Sequence, residues 1–308
     1  MPALLWRRLK VWRRIGLGPI TLLFKFERSI GVTKGKAAAT LAYPLLPNPR
    51  MRQGGFADVR SRTAAAPDAS QPSSQGMAVI VGVGPGFGYA LARRLVLEGF
   101  DVALISRDAE KLNPLVVELK ASGRIVASYG GDATDERTVD SLFKQIVELH
   151  GTPSLTIYSI QESGPGETVD VELPAFESAW RHNCLGAFLV SRASARAMKG
   201  NGFGTILLIG STSSVVGRAG HLNLAVGKFG QRALAQVLSR ELWPLGIHVA
   251  HAIIDADIAE SPSEHSDQPQ SDPDDIAFSL IAVHRQPKTA WTSEIDLRPW
   301  NEKFWEHC

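Results

Sequence analysis

The stretch VGVGPGFGYA, residues 81–90, sets glycines at 82, 84, 86 and 88 between an apolar run and a segment of helical periodicity. Glycines so placed let the backbone approach a pyrophosphate, which then rests on the free N–H groups opening the helix. Tight turns also collect glycine, but the strand before, the helix after and the early place in the chain favour phosphate binding. At the end of the second predicted strand stand Ser106 and Arg107. A site reading plain NAD wants a carboxylate there, to accept from the ribose 2′-hydroxyl, whereas the planar fork of a permanently charged guanidinium suits a 2′-phosphate. NADP is therefore expected over NAD, with the neighbouring Asp108 blunting the positive field.

These residues need a frame, and the hydropathy pattern supplies one. MAVIVGVG is a continuous apolar run bounded by glycine, as a strand buried on both faces should be. FGYALARRLVLEGF repeats with helical period, DVALISR is a second strand, AEKLNPLVVELKASG a helix with proline in its first half, and RIVASYGGD a third strand. Helix DERTVDSLFKQIVELHG follows a Thr134/Asp135 capping signal, and SLTIYSI is strand four. One long helical region, ELPAFESAWRHNCLGAFLVSRASARAM, precedes strand GTILLIGS; helix NLAVGKFGQRALAQVLSRELWPLG precedes strand IHVAHAIID. Strands alternating with helices of this length predict a parallel sheet covered by helices on both faces.

Charge divides the chain. Residues 1–62 carry thirteen Lys/Arg against only Glu27 and Asp58, while the remainder carries twenty basic and twenty-nine acidic residues. The organisation expected is a basic arm or targeting segment over 1–62, a Pro/Ala/Ser-rich linker over 63–76 and a folded domain over 77–308. The opening MPALLWRRLKVWRRIGLG is Arg-rich, acid-free and weakly amphipathic. That suits a mitochondrial or other organellar transit peptide, or an arm making peripheral contact with an anionic membrane; an unfolded leader on a cytoplasmic protein is the alternative. Cys184 and Cys308 exclude a disulfide framework and lack metal-ligand spacing, so no metal is expected. Nucleic-acid binding is not expected, because the body is acidic and the arm has no folded scaffold.

The spacing Gly82-x-x-x-Gly86-x-Gly88 resembles the cofactor turn of the short-chain dehydrogenase/reductase family, and later segments over about 77–258 match it at the expected distances. The resemblance implies a single domain with a Rossmann-type, doubly wound parallel sheet of about seven strands. It implies an adenine contact for Asp132, and catalytic roles for Asn183 in HNCLGAF, Ser211 in LLIGSTSS and Lys228 in HLNLAVGKFG, the last also a cofactor contact. In that family a tyrosine four residues before the lysine passes the proton, its phenol made more acidic by lysine one helical turn away and by the cationic nicotinamide. The position here is Leu224. The family's Asn-Asn-Ala-Gly reads YSIQ, its Pro-Gly after strand six reads IIDAD, and the threonine before the glycine turn is Val81. Such parallel changes describe an atypical, divergent branch.

The function expected is an NADP(H)-binding oxidoreductase of the short-chain type, acting on a small carbonyl or alcohol with an incomplete catalytic set. A catalytically silent sensor or assembly protein on the same fold is the alternative. His221 and Tyr158 are the residues able to supply a substitute proton. The polar stretch 256–271 occupies the place of the family's substrate lid. Trp291, Trp300, Phe304 and Trp305 crowd the tail, and read either as an interface anchor of a homo-oligomer, as a flap over the pocket, or as a tail packed on its own domain.

Overall fold

A computed structural model describes residues 74–259, 262 and 269–302. The basic arm, nearly all of the linker, most of residues 260–268, and Phe304 and Trp305 lie outside the described residues. The elements run β1 (Met77–Val81), α1 (Phe87–Leu97), β2 (Asp101–Ser106), α2 (Asn113–Lys120), β3 (Val126–Gly130), α3 (Glu136–His150), β4 (Pro153–Tyr158), α4 (Leu173–Trp180), α5 (Gly186–Lys199) and β5 (Gly204–Ser211). They continue with α6 (Leu222–Leu242), β6 (Ile247–Ile254), β7 (Asp257–Ile258), β8 (Gln270–Ser271), α7 (Pro273–His284) and β9 (Glu294–Leu297).

Seven strands form one parallel sheet in the order β3-β2-β1-β4-β5-β6-β9, and β7 pairs with β8 apart from it. Every residue of β1, β4 and β6 is buried, so these strands do not alternate; β1 is apolar throughout, while β4 also buries Ser154 and Thr156 and β6 buries His248 and His251. One face packs Ile80 and Leu104 against Leu91 of α1, Leu115 of α2 and Ile281 of α7. The other packs Val79 and Leu208 against Phe143 of α3 and Val190 of α5. Strand order reverses between β1 and β4, and a parallel sheet opens a crevice beyond the carboxyl ends of its strands at such a switch point.

Local chemistry sets the ends. Asp135 caps α3 by accepting from the Thr138 N–H (2.8 Å), and Asp272 caps α7 by accepting from Asp274 N–H (2.8 Å), with Pro273 at the first turn. Two expectations need correction. The segment around Pro114 enters α2 through a 3₁₀ turn over Glu110–Leu112, because proline tolerates only the first turn of a helix. The long helical region is interrupted by a π-turn over Arg181–Leu185, which divides α4 from α5 and carries Asn183.

Buried histidines secure the far edge, where β9 is short. His248 lies 2.8 Å from the Thr292 carbonyl and stacks on Trp291 at 4.8 Å, so Trp291 packs on its own domain. Trp300 stays exposed. No described helix is long and apolar enough to cross a membrane.

Candidate functional site

The glycine turn links the end of β1 to α1. Gly82 has φ +94°, and a Cβ there would stand 2.6 Å from Ile160, so glycine lets the segment after β4 close over the turn. Gly86 caps α1 at φ +81°, and a Cβ on Gly84 or Gly86 would point into open space. Gly88 lies close to Val83, 3.1 Å from a hypothetical Cβ to its Cα. The result is an uncluttered cradle at the amino end of an 11-residue helix, and this donor set fits a diphosphate.

Ser106 ends β2 beside Gly130 of β3. Arg107 follows, exposed and without an ion pair among the described residues. Asp108, expected to blunt its charge, is instead held by Lys111 at 3.2 Å. Asp132 accepts from the Thr134 N–H at 2.8 Å. Burial works to raise its pKa, but that hydrogen bond and the charges of His182 and Arg107 outweigh it, and the carboxyl sits below its usual range. Ser106, Arg107 and Asp132 thus gather beyond β2 and β3, on the side of the glycine turn away from α6.

On the other side of the turn, β4, β5, β6 and α6 enclose a cavity of about 790 Å³. Phe87, Ile160, Ser211, His221, Leu224 and Lys228 contribute to its walls. Lys228 is almost wholly buried, and its Nζ donates to the carbonyls of Ile209 (2.8 Å) and Ile160 (3.1 Å) and to Gln231 Oε1 (3.4 Å). Burial without a carboxylate partner pushes its pKa down to about 7. Ser211, at the carboxyl end of β5, donates its backbone N–H to Ser214 Oγ (3.1 Å), and its own buried hydroxyl is left without a well-formed hydrogen bond.

Asn183 stands behind this wall rather than in it. Its Nδ2 donates to the carbonyls of Glu162 (2.7 Å) and Ala179 (2.9 Å), and its Oδ1 accepts from the Glu162 N–H (3.1 Å). It packs against α6 where Gly227 leaves room, since a Cβ on Gly227 would fall 2.5 Å from that of Asn183. Asn183 therefore fastens the segment after β4 to the helix carrying Lys228.

Of the two substitute proton donors, His221 opens α6 on the cavity wall, exposed to solvent. Tyr158 does not reach the cavity. It is fully buried, donates its hydroxyl to the His182 carbonyl, and burial followed by the Asp132 charge drives its pKa up. Sequence reasoning did not pick out the wall opposite α6, where Asp255, Thr212 and Glu302 line the cavity. The altered segment after β6 was the visible signal. Arg298, which binds two of the three, lies in the tail and gave none.

Residues 76–265 match the family described as short chain dehydrogenase. Sorbitol-6-phosphate 2-dehydrogenase of Escherichia coli (strain K12) is 32% identical over 197 residues, spanning 63% of this chain and 76% of its own. A short-chain dehydrogenase from Rhodopseudomonas palustris superposes with a TM-score of 0.65 at 32% identity, covering 73% of this chain and 99% of its own. A metagenomic short-chain oxidoreductase in complex with NADP gives a TM-score of 0.66 at 24% identity, covering 74% and 99%, a likeness of fold.

Proposed function

Since this chain belongs to the short chain dehydrogenase family, we propose that it is an NADP(H)-dependent oxidoreductase for a small carbonyl or alcohol, working without the family's phenol. One observation carries the reading: Ser211 and Lys228 wall one cavity that begins at the glycine turn, with Phe87 of α1 in the same wall.

The nicotinamide cofactor, when bound, supplies or accepts the hydride. The chain's own residues do the rest. The turn at Gly82, Gly86 and Gly88 holds the diphosphate through backbone amides, and Arg107 pairs with the 2′-phosphate. Lys228, held by the Ile209 and Ile160 carbonyls and by Gln231 Oε1, is the residue that would contact a sugar hydroxyl of the cofactor, and with a pKa near 7 it exchanges protons at neutral pH. Ser211, which lines the cavity, lends its hydroxyl to the substrate oxygen. Leu224 cannot donate a proton. His221, one turn earlier on the same wall and open to solvent, takes that part as general acid or base.

Leu224 favours a second reading, in which the cavity binds the nucleotide and performs no turnover. Calorimetric titration with NADPH and NADH, followed by a screen of small carbonyls for NADPH oxidation, separates the two. Turnover supports the enzyme; micromolar NADPH binding without turnover supports the silent binding protein. Binding of neither nucleotide at millimolar concentration defeats both.

A further inference from the structure

We propose that the cavity takes a polyhydroxylated substrate, of the open-chain sugar or polyol class, and that Asp255 is the residue selecting it. The inference rests on the oxidoreductase reading of the same cavity and names its substrate.

Asp255 follows β6 directly and lines the cavity. Its Oδ1 accepts from Thr212 Oγ1, next to Ser211, and its Oδ2 accepts from Arg298 Nη1. Arg298 donates also to Asp296 (2.8 Å) and to Glu302 (3.1 Å). The side chains of Asp255, Arg298 and Glu302 are only 15%, 17% and 11% exposed. Three carboxylates share one guanidinium, and two of them, Asp255 and Glu302, line the cavity with Thr212, giving this part of it a set of acceptors. Such a cluster keeps acceptor capacity, because each carboxylate has about four lone-pair sites and only one or two are used here.

Donor groups line the same cavity as these acceptors. Arg218 and His221 line it, both exposed and neither ion-paired among the described residues, and Gln161 joins them. A ligand matching this lining must both donate to the Asp255 group and accept from Arg218, His221 or Gln161 along its length. Successive hydroxyl groups do both. A hydrocarbon or acyl chain would leave these groups desolvated and unpaired, and sites built to bind hydroxyls reject analogues lacking them strongly.

The test is calorimetry on the full chain, with and without saturating NADPH, against D-mannitol, D-mannitol 6-phosphate and 2-hexanol, which share a six-carbon skeleton. At least one hexitol is expected to bind tenfold or more tighter than 2-hexanol. Preference for the phosphate arm assigns Arg218 to the phosphate; equal affinity assigns it to hydroxyls. Asp255→Leu is expected to reduce the preference for hexitol to less than threefold, and Asp255→Asn, which preserves the shape of the wall, to weaken it partially. Equal or tighter binding of 2-hexanol, or no binding of any of the three, overturns the inference. Retained selectivity in both folded variants removes Asp255 from the role. Hexitol binding without any binding of NADPH or NADH would instead defeat the oxidoreductase reading and leave the polar cavity standing.

Discussion

Leu224 and Lys228 lie one turn apart on the same face of α6, both buried and both walling one cavity, with the lysine ammonium anchored on the carbonyls of Ile209 and Ile160. Positions 224 and 228 have the i,i+4 geometry that would couple a phenol to an ammonium, with leucine at the first of them. Leu224→Tyr is therefore expected to raise the rate of NADPH-dependent carbonyl reduction about 100-fold, the usual worth of a positioned general acid. In that variant His221→Ala should cost little, whereas in the parent chain it should remove most of the turnover. Steady-state NADPH oxidation by all four proteins checks both. An inactive, folded Leu224→Tyr protein would mean that the cavity itself has changed its task.

Lys228 is expected to cost stability. Burial takes its pKa from 10.5 down to about 7, so between those values the unfolded chain holds a proton that the folded chain has released. Stability contributed by this group must then rise with pH across that window, and its penalty is greatest below pH 7. Lys228→Met, which fills the same space without charge, should melt higher than the parent at pH 7. The gap should shrink by about 5 °C by pH 9, read by differential scanning calorimetry of both proteins.

Arg107 faces solvent with no ion pair among the described residues, while Asp108 is occupied by Lys111. Replacing it by glutamate removes a charge-assisted contact and introduces repulsion. Arg107→Glu should weaken NADPH binding at least 30-fold and leave NADH binding within about threefold, since one charged hydrogen-bonding partner is worth roughly 2 kcal/mol. Calorimetric titration with both nucleotides decides it.

Gly86 has positive φ with open space where a side chain would go. Gly86→Ala pays about 1 kcal/mol for the left-handed backbone and places a methyl group in the cradle. Nucleotide affinity should fall more than tenfold, while the melting temperature drops only about 2–4 °C.

The alternation of apolar runs with amphipathic segments determined by itself the parallel sheet, the glycine turn and the order in which the site residues arrive. A strand buried on both faces is predominantly apolar, and a turn with positive φ favours glycine, so both constraints are written into neighbouring residues. The leucine four residues before Lys228 was equally plain, because residues sharing one helix face are separated by a fixed number of positions. Only the tertiary structure decided which polar groups meet. Tyr158, plausible from its place after strand four, is turned into the core and spent on the His182 carbonyl. Asn183 binds Glu162 and Ala179 rather than facing the cavity. The Asp255 wall depends on Arg298, forty-three residues further on, and on Thr212, forty-three residues before. Local patterns record burial and backbone angle; the direction in which a charged side chain reaches is set by partners that folding brings from distant parts of the chain.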